Sequence, residues 1–454
     1  MCIRDSKYTT MAVYQDREAF IPYSRRDLIE LCIKDGKLPD ASLQKFRDFC
    51  SLLLAYYHFK LHRILEILKE NYAPFNPDFN SKNIVDYSWS QLTMMKSKVV
   101  ENFKEILEQG NYYPISQASL KRAFQKKSLI QLKTNVNLDN FEEMICYCRG
   151  DIYKRIKVKR FFREIEKKID VFERVALLIK FQNTKDINSP ENFLEEYNSM
   201  PSKIYLYLYK NIPKDDIEFL FPNIKISMTL KDRLMLIVPA IGAAVPIALK
   251  ILPQLLLIIG VIIFLVFGPS YVERLNLKAN QEDIKNMTGI LIATLSLLLT
   301  LGGFCFKQYT QYKNKHIKFQ KQVTETLFFK NIANNLGVFQ SLVDDAEEEE
   351  CKEIILVYYH LLTSNTPLTP KQLDNKIEAW MEQNFDTKID FDINGPLNNL
   401  AKIKGKIISD VKSEEEIPEI SLLTYDKNGC CQVLSIDNAK KLIDHIWDNL
   451  FVYT

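Results

Sequence analysis

The chain has 454 residues and a formal net charge of +3, from 60 Lys and Arg against 57 Asp and Glu. That balance excludes the polyelectrolyte character of a nucleic-acid binder. Nine scattered cysteines without a C-x2-C pair suggest neither a zinc module nor a disulfide framework, and they fit a reducing compartment. Only 13 glycines are present, and no P-loop, Rossmann glycine pattern, G-x-S-x-G or kinase motif set occurs.

Residues 1–10 read as an artefactual leader with Met11 as the start: MCIRDS lacks the apolar core of a signal peptide and resembles translated sequencing-adapter read-through. Residues 11–232 read as an N-terminal soluble α+β domain. Ser24 is placed to cap a helix that stops at Gly36. Ser42 to Glu70 carries Leu53, Tyr57, Leu61, Ile64, Leu65 and Leu68 at helical spacing. A further helix covers about 91–109 and stops at Gly110. A strand is expected within Leu129 to Leu138, Phe141 to Cys148 is helical or extended, and Arg149-Gly150 turns the chain. Val175 to Phe181 and Lys203 to Lys210 have strand composition, the second alternating Ile204, Leu206 and Leu208 with three tyrosines.

Residues 233–306 hold two long apolar runs and read as a transmembrane hairpin. Gly289 to Phe306 has no charge, and Ile251 to Phe267 likewise; each approaches the length needed to cross about 30 Å of hydrocarbon. The stretch 234–249, with Pro239 and Pro246, reads as interfacial or re-entrant. Lys231 and Arg233 precede the runs, and Lys307, Lys313, Lys315, Lys318 and Lys321 follow them without an intervening acid. These basic flanks predict that both large domains face the cytoplasm or its organellar equivalent.

Residues 307–454 read as a C-terminal soluble helical domain. A helix leaves the bilayer over about 307–341, and another runs from Asp344 to Leu362. Thr369 (or Thr366) caps a helix to about Gln383, a helix follows at about 394–403, Asn428-Gly429 turns a hairpin, and the last helix runs from Ile436 to Leu450. The expected fold is therefore an α+β membrane protein, mostly α. A two-helix transmembrane hairpin joins the N-terminal α+β domain to a helical, winged-helix-like C-terminal domain.

Several stretches together resemble the transmembrane protein 143-like family, an uncharacterised membrane family. They are REAFIPYSRRDLIEL at 17–31, Phe141 with Arg149-Gly150-Asp151, FERVALLIKF at 172–181, LYKNIPKDDIEFLFP at 208–222, DRLMLIVPAIGAAVPI at 232–247, the segment 328–353 and IDHIWDNLF at 443–451. The resemblance implies a multi-pass membrane protein with two spanning helices, and no reaction.

Four constellations invite a chemical reading. Asp344, Asp345, Glu347, Glu348, Glu349, Glu350 and Glu353 offer carboxylates to a hard cation. On a helix, however, only Glu349 with Glu353 and Glu347 with Glu350 share faces, and an acidic first turn on the helix dipole is the plainer reading. His58 and His62 are spaced i,i+4 but lack a third metal ligand. The basic run Lys154, Arg155, Lys157, Lys159, Arg160, Arg163, Lys167 and Lys168 reads as a solvated helix face, with anionic lipid as the next choice. The helix near 394–403, with Lys402 and Lys404, is too weakly basic for DNA recognition, so no nucleic acid is expected.

No catalytic, cofactor-binding or metal residue is assigned, and no cofactor is implied. The expected partners are the lipid bilayer, anionic headgroups, and a homo-oligomer or protein partner. The sequence thus points to a membrane-anchored scaffold or interaction protein of a bacterial inner membrane or of a mitochondrial or plastid membrane. An oligomeric transporter or lipid-handling protein using the Pro-broken segment 234–253 is one alternative. An unrecognised membrane-surface enzyme is the other.

Overall fold

The computed structural model describes residues 13–14, 19–78, 87–116, 120, 133–160, 163–182, 202–222, 225–227, part of 242–267, then 287–385, 388–407 and 418–449. The chain divides into two compact units. The first comprises residues 1–125, 137–217 and 330–454; the second comprises 126–136 and 218–329. The expected leader and the segments 228–241 and 268–286 lie outside the described residues.

The first unit is built from a six-stranded antiparallel sheet and seven helices among the described residues. Helix α1 (Arg25–Lys34) starts where Ser24 accepts a hydrogen bond from the Asp27 N–H, as the sequence predicts, and Gly36 follows it at φ 71°. Helix α2 (Asp40–Tyr72) is 33 residues long. Helix α3 (Trp89–Gln109) opens on a capping box between Ser88 and Gln91.

The sheet follows the order β1 (Val13–Tyr14), β4 (Phe141–Arg160), β5 (Arg163–Phe181), β6 (Ile204–Pro213) and β8 (Asn331–Asn334), with β2 (Tyr113–Pro114) also paired to β4. Strand β4 runs straight through Arg149-Gly150, where the sequence suggested a turn. Gly150 sits at φ 72°, and a side chain there would place Cβ 2.8 Å from the Cβ of Glu173, so the strand accepts an irregular residue that only glycine fits. The basic run 154–168 belongs to the β4–β5 hairpin and not to a helix: Lys157 pairs in register with Glu166 and Lys159 with Glu164.

The second unit contains the two-stranded pair β3 (Lys133–Asn135) and β7 (Lys225–Ser227), a short apolar helix at Ile258–Phe267, and α4 (Met287–Lys330). The expected two-helix transmembrane hairpin is not what this fold contains. Among the described residues a single helix is long and apolar enough to cross a membrane, Ile292–Gln311 within α4. Among the described residues the first apolar run yields the helix Ile258–Phe267, shorter than about 20 residues. Multi-pass architecture therefore has no support in the described helices.

The expected pair of end domains is also corrected. Strand β8 lies beyond the apolar runs in sequence, yet it pairs with β6, matching Leu208 to Ala333. Past it, Asn335 takes a positive φ of 48°; its side chain accepts from the Leu206 N–H at 3.2 Å and donates to Asp78 at 2.9 Å. Helix α5 (Leu336–Leu362) then enters the centre of the unit. Helices α6 (Pro370–Phe385), α7 (Asn394–Lys402) and α8 (Ile436–Asp448) bury Leu373, Ile377, Leu397, Leu400, Leu442 and Ile443 against Phe46, Phe49 and Leu53 of α2. The C-terminal hairpin of β11 (Leu423–Tyr425) and β12 (Cys431–Val433) forms at Asn428-Gly429 as expected, and β9 (Lys404–Gly405) pairs with β10 (Ile420–Ser421). These elements share one apolar core with α1 and α2, so they do not stand alone as a winged-helix-like domain. An isolated helix trio would leave those apolar faces in water, at roughly 25 cal/mol for each Å².

Candidate functional site

Helix α5 crosses two apolar cores. Its first turns place Val338, Phe339, Leu342, Val343 and Ala346 with α3 and the sheet. Its last turns place Ile354 to Tyr359 with α1, α2 and the C-terminal helices. The acidic run lies between the two. It is mid-helix, because α5 begins at Leu336, and Glu347, Glu349, Glu350, Lys352 and Glu353 are all buried. The reading as a solvated first turn is therefore replaced by a buried ionic ladder. Such a ladder persists only if its charges are matched.

The rungs at Asp345, Glu347, Glu348 and Glu349 are matched by cations. Lys352, whose side chain is 3 % exposed, contacts the Glu349 carboxylate at 2.8 Å and donates to the carbonyls of Ile21 and Tyr23. The Ile21 N–H donates to the other oxygen of Glu349 at 3.0 Å. Arg25 pairs with Glu347 at 2.8 Å and with Glu348 at 3.1 Å, while its backbone N–H donates to Glu348. His58 meets the second oxygen of Glu347 at 2.8 Å. This is the sequence-flagged histidine, yet its partner is a carboxylate 289 residues away; the His62 ring stands 6.0 Å from it, centroid to centroid.

Arg149 enters from β4. It donates to the Gly110 carbonyl at 3.1 Å, approaches Asp345 at 3.4 Å and Glu349 at 3.9 Å, and lies over the rings of Phe20 and Tyr112. Burial opposes its charge, but Tyr112, Asp345 and Glu349 hold it firmly protonated. Asn111, at a positive φ of 57°, donates to Glu353 at 2.7 Å. Burial pushes the carboxyls of Glu353 and Glu350 above the usual range.

The ladder straps residues 19–25 and β4 at Arg149 onto α5. The carboxylates of Asp345, Glu347, Glu348 and Glu349 meet cations of the same unit, and Glu348 and Glu349 also accept backbone N–H groups. Among the described residues, no group of three or more His, Cys, Asp or Glu is placed to hold a metal ion. In the sequence Arg149 was visible only as part of a turn and of a resemblance, Lys352 only as a neighbour of the acidic run, and Arg25 not at all; nothing local marks the pairing of Arg25 with Glu347, 322 positions away.

A second buried group lies further along α5. His360 is 1 % exposed, neither ring nitrogen has a hydrogen-bond partner, and Trp380 and Tyr359 pack edge-on against it. Burial pulls its pKa down to about 3. A histidine depressed in the fold stabilises the protein above its unfolded pKa of about 6.5 and loses that contribution as pH falls toward 3. Glu350 and Glu353 act in the opposite direction, so a variant separates the effects. His360→Leu should raise stability by about 1 kcal/mol at pH 7.5, because an unsatisfied polar ring is replaced by an apolar one. Its advantage over wild type should widen at pH 5.5. Urea midpoints at the two pH values check this; an unchanged gap contradicts it.

The basic residues flanking the apolar runs are separated by the structure. Lys307, Lys313, Lys318 and Lys321 are exposed on α4; Lys315 lies on the same helix, and Lys231 and Arg233 lie outside the described residues. In the most apolar window of Ile292–Gln311, 7 % is buried among the described residues, and Ile292, Leu295, Leu299 and Phe306 are exposed.

Residues 172–337 match a protein family of unknown function (DUF3754). The DUF3754 match covers most of β5, all of β6, the whole apolar region and β8, but neither Arg149 nor the acidic ladder. It supports the coarser part of the resemblance, an uncharacterised domain family. It does not tie the chain to the transmembrane protein 143-like family. No solved structure matches the chain.

Proposed function

We propose that this is a membrane-anchored interaction protein, held to a bilayer by the apolar part of α4, with its first unit free to bind a partner on one side. One observation carries the reading: a 20-residue apolar stretch whose most apolar window is 7 % buried among the described residues. The core helix of a water-soluble protein is mostly covered by its own fold, and a signal sequence lies near the N-terminus; Ile292–Gln311 has neither property. Exposed apolar surface of this extent needs a cover, and hydrocarbon supplies one.

The chain leaves the first unit after residue 217 and returns to it at 330. β6 and β8 are neighbours in one sheet, which supports an apolar region that leaves the first unit, embeds the apolar part of α4 in the bilayer, and returns to the side it left. The exposed lysines of α4 favour the cytoplasmic side or its organellar equivalent and contact with anionic headgroups. The resemblance to the transmembrane protein 143-like family agrees with this reading. A bacterial inner membrane or a mitochondrial or plastid membrane fits it equally.

The test is flotation of the full chain with phosphatidylcholine vesicles, with and without phosphatidylserine, followed by carbonate extraction. The protein should float and resist carbonate, and Leu299→Arg should weaken retention, because an arginine deep in a bilayer costs about 2.5–3.5 kcal/mol. Wild-type protein that stays at the bottom of the gradient, or that carbonate releases, contradicts the proposal.

A further inference from the structure

Beside the ladder, α1 and α2 flank an open surface pocket of about 270 Å³. Arg25 and Arg26 of α1 and Arg47 and Ser51 of α2 line it, together with the apolar side chains of Ile29 and Leu54. Three guanidinium groups on one small cavity are met by a single lining carboxylate, Glu30. We infer that this pocket binds a phosphomonoester, with its phosphate between Arg26 and Arg47 and its carbon portion on Ile29 and Leu54.

The three arginines are not equivalent. Arg25 is committed to Glu347 and Glu348 of the ladder. Arg47 reaches Glu30 through Nε and Nη2, at 3.2 and 2.9 Å, which leaves Nη1 for another acceptor. Arg26 is exposed and holds no carboxylate among the described residues. Glu30 orients the Arg47 fork, and that hydrogen bond holds its carboxyl below the usual range, so it stays ionised and keeps the guanidinium in place. An arginine fork matches two oxygens of a phosphate, and two forks from different helices can share its three oxygens.

The volume and the walls decide the class of ligand. A bare anion would not use Ile29 and Leu54, while a pocket near the lower end of the ligand-site range suits a small organic ester. The phosphate could belong to a soluble metabolite or to a lipid headgroup, and the chemistry of recognition is shared. Sequence reading missed the site because Arg25, Arg26 and Arg47 look like ordinary solvated charges until α1 folds back on α2. The inference stands independently of membrane anchoring.

The experiment is calorimetric titration of the full chain, in detergent, with inorganic phosphate, glycerol 3-phosphate and a short-chain phosphatidic acid. At least one ester should bind more tightly than inorganic phosphate. Arg26→Ala should weaken that binding at least tenfold, Arg26→Lys less, and Lys69→Ala, about 30 Å along α2, should leave it unchanged. Arg26 makes no ion pair that folding depends on, so circular dichroism and the melting midpoint of Arg26→Ala should match wild type. Preference for glycerol 3-phosphate assigns a soluble ester; preference for the phosphatidic acid assigns a headgroup. Absence of binding by both esters, or equal binding by wild type and the Arg26→Ala, Arg47→Ala double variant, overturns the inference.

Discussion

Arg149→Met destabilises the first unit by about 3–5 kcal/mol, because it strands buried carboxylates whose cation has gone. The wild-type guanidinium is 7 % exposed, donates to the Gly110 carbonyl, and stands beside Asp345 and Glu349. Methionine fills much of the same volume, so the loss is electrostatic and not a cavity effect. Glu349 keeps Lys352 and the Ile21 N–H, and Asp345 keeps the Tyr112 hydroxyl at 2.6 Å. The penalty therefore falls on an excess negative charge and on one unsatisfied carbonyl. The urea midpoint should drop with an unchanged slope. Adding Asp345→Asn should restore part of the loss, since the stranded charge is removed with its partner. A single variant as stable as wild type would mean that the ladder contributes little.

Lys352→Met has an effect of similar size but a different signature. Its ammonium group neutralises Glu349 and satisfies the carbonyls of Ile21 and Tyr23. Losing it costs about 3–5 kcal/mol, and it also releases residues 19–25 from α5. Hydrogen exchange should then rise at Ile21 and Arg25, whose N–H groups donate to Glu349 and Glu348, more than in the cores that flank the ladder. The double variant with Arg149→Met should lose less than the sum of the singles, because both cations share Glu349. Strict additivity would show that the two pairs are independent.

Local signals in this chain were legible and long-range ones were not. Ser24, Thr369 (offered beside Thr366) and Asn428-Gly429 are read correctly because each device is complete within a few residues. The acidic run was placed on the right helix at the wrong depth. Strand β8, NIAN, has no alternation to mark it, so the start of α5 at Leu336 was missed and mid-helix residues looked like a first turn. The long β4–β5 hairpin was hidden by its lysines and arginines, and Gly150 looked like a turn when it is a positive-φ residue inside a strand whose register continues past it. Hydropathy marked two runs as spanning segments, but length and composition cannot say which run forms a long continuous helix; one of them does among the described residues. Nor can local pattern show that α8 packs on α2, about 390 positions earlier, because that contact depends only on two apolar stripes finding each other.

The central structural claim is that the two ends of the sequence form one folded unit, with the apolar region as an excursion from it. Zero-length carbodiimide cross-linking of the intact protein tests this most directly. Lys45 lies 2.8 Å from Asp437, and Lys440 lies 3.1 Å from Asp48. Both pairs should be recovered as intramolecular cross-linked peptides from monomeric protein, alongside the Lys69–Glu66 link within α2. Recovery of the α2 link without either long-range pair would contradict the shared core and return the two ends to separate domains.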